Sequence, residues 1–268
     1  MENITSQNLL HFDNLTRHES LVHFSTTIAG GVSTGNYASF NLSKYSGDSP
    51  SDVLENKRYL ASMLDINQDN LLLPYQTHGN EVRVIDKSFI SSGYAKQKEL
   101  LNEVDALVTN LKGICIGVTT ADCVPLIIYD PENHAVAVIH AGWRGTVARI
   151  VTKAILVMKR NYGSKPEKLI VGIAPSICQD CFEVGDEVVL NFIEAGFPMD
   201  MIGRKNNNTG KMHIDLKKAN CWLLEKEGVH TNNIEDSGLC TFSDSNMFFS
   251  ARRQTIYSGR MVTGVILK

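Results

Sequence analysis

The chain has 268 residues, 43% hydrophobic and 21% charged, which suits a globular protein with a sizeable core. A net charge of -3 leaves no basic footprint for nucleic acid. No apolar run approaches the ~20 residues a membrane helix needs, and the segment MENITSQNLLHF lacks a basic region followed by an apolar core, so a cytoplasmic protein is expected.

In chain order, Ile28 to Leu42 (IAGGVSTGNYASFNL) reads as a polar loop with three Gly, without the G-x-x-x-x-G-K-[ST] order of a nucleotide loop. Ser51 to Leu64 reads as a helix: Pro50 precedes it, and Leu54, Ala61 and Leu64 fall near helical spacing. Arg58 lies off those apolar positions. A strand-rich block follows, with LLLPYQ, Val82 to Ile85, Asp105 to Thr109, Ile114 to Thr119, Val124 to Tyr129 and Ala135 to His140. The continuous apolar character of Ala135 to His140 predicts a buried strand. Past Gly145, the residues Val147, Ile150, Val151, Ala154, Ile155 and Met158 predict one amphipathic helix. Lys168 to Ala174 is a further strand. Asp215 can cap a helix carrying Leu216, Ala219 and Leu223, with Gly228 just past its end. Met261 to Leu267 closes the chain as a strand. Strands and helices alternate without strict βαβ order, so the expected fold is mixed α/β (α+β), one domain over residues 1–268 with mixed sheets flanked by helices.

Three metal-competent side chains sit in short turn-bearing phrases: His78 in QTHG, Cys123 in TTADC and His140 in IHAGWRG. Two imidazoles and a thiolate can hold zinc and leave one tetrahedral position open, as a catalytic site does. Their separations are long, so only the fold can assemble them. Singly, His140 suits a satisfied structural histidine and Cys123 an inert buried thiol. Arg144, just before a predicted helix, suits anion binding or a solvated first turn. Arg252 and Arg253 follow Phe248 and Phe249, a pair suited to the core, and could reach an oxyanion. Of six Cys, only Cys178 and Cys181 form a C-x-x-C. That is half of a zinc ribbon, and no second pair exists to complete it, so free thiols are expected there.

The phrases QTHGNEV, DALVT, GVTTADCVPLIIYD, AVIHAGWRGT, APSICQDCFEVG and FFSARR resemble, in order, the YfiH family, earlier labelled laccase-domain or polyphenol oxidoreductase proteins. The resemblance runs from about Phe24 to the C-terminus. It implies a YfiH-like fold, a Zn²⁺ ion held by His78, Cys123 and His140, and catalysis at that centre. It further implies phosphorolysis of adenosine, inosine and methylthioadenosine to free base and ribose 1-phosphate, with adenosine deamination at the same site. Purine nucleosides and phosphate are then the expected partners. Candidate phosphate ligands are Arg58 and Arg144, then Arg252. Asn41 and Gln76 are candidates for the ribose or base, and Asp122 and Glu183 for orienting a histidine ligand. Alternatives stay open: a copper-dependent polyphenol oxidase, a cysteine hydrolase editing peptidoglycan precursors with Cys123 as nucleophile, or a binding module with a structural metal. Eight His with no His-x-His pair fit a multicopper centre poorly.

Overall fold

The computed structural model describes residues 9–268. The expectation of no signal peptide falls partly on residues 1–8, which lie outside the described residues. The central element is a six-stranded sheet. Its order across is Ile234–Asp236, Ile170–Ile173, Val124–Asp130, Ala135–Ala141, Ala106–Thr109 and Val82–Ile85. The outermost pair on each edge is parallel and the inner pairs are antiparallel, so the sheet is mixed. Every residue of Val124–Asp130 and of Ala135–Ala141 is buried. The cause is layering on both faces. Leu126, Ile128, Ala137 and Ile139 point to one core, and Ile127, Tyr129, Val136 and Val138 to another. That two-residue alternation is the pleat, and it explains why these strands read as unbroken apolar runs.

On one face lie helices. Ile150, Val151, Ala154, Ile155 and Met158 of the helix Ile150–Tyr162 pack there beside Leu216, Ala219 and Leu223 of the helix Leu216–Lys226. Truncating such a buried Ile or Leu to Ala costs about 2–5 kcal/mol, because the site collapses only partly. The single helix expected after Gly145 is in fact two, Trp143–Val147 and Ile150–Tyr162. Arg149 between them is left-handed at φ 58°, which breaks the intrahelical ladder. Asp215 caps as expected, its side chain accepting from the Lys218 N–H.

On the other face lies a five-stranded sheet, ordered Leu9–Leu10, Leu21–Thr26, Met261–Leu267, Cys115–Thr120 and Leu71–Leu72. Its far side packs Phe24, Val262 and Ile266 against Phe40, Leu42 and Leu60, the last from the helix Pro50–Met63. The result is four layers: helices, sheet, sheet, helix. A small antiparallel sheet of Glu183–Val184, Met212–Ile214 and Gly203–Lys205 sits apart. Sequence periodicity missed the strand Leu21–Thr26 and this small sheet.

One topological fact positions the chemistry. Cys115–Thr120 belongs to the five-stranded sheet and Val124–Asp130 to the six-stranded one. The turn at Ala121 to Cys123 therefore steps between layers at one rim of the sandwich. Pro125 pairs with His140, so His140 ends its strand at that same rim. No helix among the described residues is long and apolar enough to cross a membrane.

Candidate metal centre

At the rim, His78, Cys123 and His140 offer ligand atoms that all lie within 4.8 Å of one another. The two imidazole rings meet edge to face, with centroids 4.8 Å apart. His140 is buried, Cys123 half-buried and His78 exposed, so the cluster opens to one side. Two imidazoles and a thiolate suit a borderline-soft ion such as Zn²⁺, and three ligands with an open side match a catalytic rather than a structural site.

The backbone around the cluster is tightly specified. His78 and Asp122 are both left-handed, at φ 62° and 85°, conformations costing on the order of 1–3 kcal/mol for residues other than Gly. In each case a carboxylate holds the chain there. The QTHG turn wraps Asp105: its Oδ1 accepts from the His78 N–H at 3.0 Å, and its Oδ2 from the N–H groups of Gly79 at 2.8 Å and Thr77 at 3.3 Å. The same Oδ1 accepts from His140 Nδ1–H at 2.7 Å. One fully buried carboxylate thus fixes both histidines of the cluster and leaves His140 Nε2 to face a metal. Asp122 acts elsewhere. Its carboxylate accepts from Thr241 Oγ1, Ser250 Oγ and the Arg252 N–H, tying the carboxy-terminal segment to the turn.

Two glycines of HAGWRG allow the close approach. A Cβ on Gly142 would lie 3.0 Å from both Cys123 Sγ and His78 Cδ2, and one on Gly145 would lie 2.8 Å from the Gly79 carbonyl. Both would collide with the centre or its supporting turn.

Electrostatics follow from this crowding. Burial alone would raise the Cys123 thiol. The His140 charge and the hydrogen bonds from His140 and His78 outweigh it and bring the thiol down to about 6. Burial likewise lowers His140, but the Cys123 thiolate and the Asp105 hydrogen bond overcome it and raise His140 to about 9. Asp105 stays below the usual carboxylate range: burial opposes ionisation, and the His140 hydrogen bond and charge prevail. These interactions favour a Cys123 thiolate and a His140 imidazolium resting on the Asp105 carboxylate.

A cavity of about 510 Å³ opens over the cluster, a size suited to a small organic ligand. Tyr45, Tyr75, Gln76, Phe182, Arg252 and Arg260 line it with the three ligands. Tyr45 and Tyr75 pack together at a tilt of 56°, with ring centroids 4.5 Å apart. A larger cavity of about 760 Å³ lies on the other side of that pair. It contains no metal-competent cluster among the described residues, so the smaller cavity is the better candidate site.

The predicted site residues divide. His78, Cys123, His140, Gln76 and Arg252 line the one cavity. Gln76 is occupied, pinning Thr119 through both amide atoms. Arg252 donates to the Glu183 carbonyl and lies over the Phe182 ring. Three others are elsewhere. Asn41 is fully buried; its amide donates to Ser46 Oγ and Asp48, and its Oδ1 accepts from the Arg260 N–H. Arg58 projects from an exposed helix face onto Glu55. Arg144 is exposed and stacks on the ring of its neighbour Trp143. The histidine-orienting carboxylate is Asp105, not Asp122 or Glu183, and Glu183 instead accepts from Thr209. Sequence reasoning missed Arg260, a half-buried arginine on the cavity wall whose charge interacts with Cys123 and Asp122. It also missed Tyr45 and Tyr75. The one available signal for Asp105 was a carboxylate opening an otherwise apolar strand.

The family model described as multi-copper polyphenol oxidoreductase laccase matches residues 22–268. A protein of Bacteroides thetaiotaomicron named purine nucleoside phosphorylase is 40% identical over 97% of this chain and 96% of its own length. A protein named adenosine deaminase RL5, from an unknown prokaryotic organism, is 45% identical over 93% of this chain and 95% of its own. The crystal structure of Bacillus licheniformis hypothetical protein YfiH superposes with a TM-score of 0.89 at 28% identity, covering 97% of both chains. The mixed α/β, YfiH-like fold expected from the motifs is therefore borne out. The chain belongs to this laccase-like YfiH family.

Proposed function

We propose that this laccase-like chain is a zinc-dependent purine nucleoside phosphorylase that also deaminates adenosine at the same centre. The observation that carries the reading is the open His78–Cys123–His140 cluster on the floor of a cavity with arginines and paired tyrosines on its walls. The names of its relatives support the same pair of reactions. Adenosine, inosine and methylthioadenosine are the proposed substrates.

When bound, zinc would supply Lewis-acid polarisation and acidify water toward a pKa of ~7. The chain's own residues do the rest. Asp105 holds His140 through Nδ1, fixing the tautomer that leaves Nε2 toward the metal. Tyr45 and Tyr75 offer flat faces at which a purine can stack. The exposed Arg252 guanidinium, which donates through Nη1 to the Glu183 carbonyl, has further N–H groups to offer phosphate oxygens, and half-buried Arg260 adds positive charge on the same wall. In phosphorolysis a phosphate oxygen forms a bond to C1′ as the N9–C1′ bond breaks. The nearby phosphate charge favours the cation-like ribose in between. In deamination water adds at C6 and ammonia leaves.

A second reading has one observation in its favour. A thiol held near 6 beside two imidazoles is also the arrangement of a cysteine hydrolase. Copper oxidation has less support. All eight His lie among the described residues, and only His78 and His140 fall in a possible metal cluster there. Copper can still displace zinc at such a site by affinity alone.

Chromatography of adenosine incubated with the pure protein tests the proposal. Adenine and ribose 1-phosphate forming only with phosphate support phosphorolysis, and inosine forming in both tubes supports deamination. Unchanged adenosine in metal-loaded protein overturns both. Full activity after complete metal removal would favour the thiol reading.

A further inference from the structure

A second cluster of soft donors lies outside the centre just described. Cys178, Cys181 and Cys240 place their sulfurs within 4.8 Å of one another, and all three are free thiols. The sequence offered only half a ribbon, Cys178-x-x-Cys181. The fold supplies a second half in Cys240-Thr-Phe-Ser243. Ser176 pairs with Cys240, laying the two segments side by side. Ser243 Oγ comes to 3.4 Å from Cys181 Sγ, so the fourth corner is occupied by a hydroxyl where a ribbon has a fourth cysteine.

A backbone donor joins the two halves. The Cys181 N–H closes the first turn on the Cys178 carbonyl at 3.1 Å. The Cys178 N–H donates to Cys240 Sγ at 3.3 Å. N–H groups aimed at sulfur favour its negative form, as the outer hydrogen bonds of thiolate metal sites do. Asp244 accepts from the Cys240 N–H and fixes the second turn.

We infer that Cys178, Cys181 and Cys240, closed by Ser243, form a second metal site of structural type for a thiophilic divalent ion such as Zn²⁺. Three thiolates and one oxygen fill a tetrahedron, so the site has no reaction to perform. Its place gives it a job. Ile177 and Phe182, flanking the first half, line the catalytic cavity, and Thr241, inside the second, bonds to Asp122. Metal here would clamp the strand end after Ile173 to the carboxy-terminal segment that carries Arg252. This inference does not depend on which reaction the first centre performs.

The test uses the full chain carrying Cys123→Ala, which removes the first centre's thiolate, with Co²⁺ as the probe. The expected result is one additional cobalt with sulfur-to-cobalt charge-transfer absorption, lost on adding Cys178→Ser and Cys181→Ser. Saturating Zn²⁺ should raise Tm by about 5–10 °C in the Cys123→Ala chain. If the triple variant does not fold, alkylation of the Cys123→Ala chain replaces it. Zn²⁺ must then protect Cys178, Cys181 and Cys240 together. Ser243→Cys should tighten Co²⁺ binding at least 10-fold. No sulfur–cobalt absorption in the reduced, folded chain overturns the site. So does absorption that survives loss of Cys178 and Cys181, or alkylation that Zn²⁺ does not slow.

Discussion

The two sulfur-bearing clusters are near equals by distance and opposites by surroundings. Each brings three soft donors within 4.8 Å. The first mixes two imidazoles with one thiolate, rests on the buried carboxylate of Asp105 and opens into a cavity. The second has three thiols, a backbone N–H on sulfur in place of a carboxylate, and a serine at its fourth corner. A metal's role is set by what surrounds the ligands. A charged support and an open position suit turnover, and a filled tetrahedron suits bracing. Both clusters also rely on short turns at strand ends, where side chains are held rigidly yet reach outward.

The contrast can be broken or sharpened by experiment. The largest effect is expected from Cys123→Ala, which should bring metal at the first centre and nucleoside turnover to background together. Metal analysis and chromatography on the same sample check it, and turnover without metal would erase the distinction drawn here. Asp105→Asn should cost about 10–100-fold in metal affinity or turnover, because the charge that fixes both histidines is gone. It should also destabilise the fold by about 3–5 kcal/mol in urea unfolding, as a buried partner of His140 is lost.

Arg252→Ala should raise the KM for phosphate by about 10-fold or more, the worth of a charge-assisted hydrogen bond, with the nucleoside KM little changed. An unchanged phosphate KM would move the anion site to Arg260. A subtler test concerns protons. Between about 6 and about 9 the metal-free first centre holds its proton on His140 and none on Cys123. Zinc binding in that window should therefore release about one proton per centre. Release should rise below about 6, as Cys123 also becomes protonated, and vanish above about 9, as His140 loses its proton. Calorimetry in buffers of different ionisation heat reads this directly, using a Cys178→Ser, Cys181→Ser chain to silence the second cluster. The smallest effect belongs to Arg58→Ala. Its exposed pair with Glu55 is worth about 0–1 kcal/mol, and phosphate KM should not move.

The sequence by itself determined a good deal. Apolar runs located Val124–Asp130, Ala135–Ala141 and Met261–Leu267 nearly to the residue, because strands buried on both faces leave few polar positions. Asp215 and Gly228 marked the ends of one helix, because capping is a local matter. His78, Cys123 and His140 were metal-competent donors in turn-bearing phrases, and the family resemblance of those phrases picked them out as a set. The tertiary structure alone decided the rest. Asp105 rather than Asp122 meets His140, because the strand Ala106–Thr109 pairs with Ala135–Ala141 and not with the turn that carries Asp122. Arg58 and Arg144 turn away and Arg260 turns in, since a helix face or a chain crossing fixes where a guanidinium ends up. Cys240 joins Cys178 and Cys181 across 62 and 59 positions of chain, a separation at which spacing carries no signal and only packing brings atoms together.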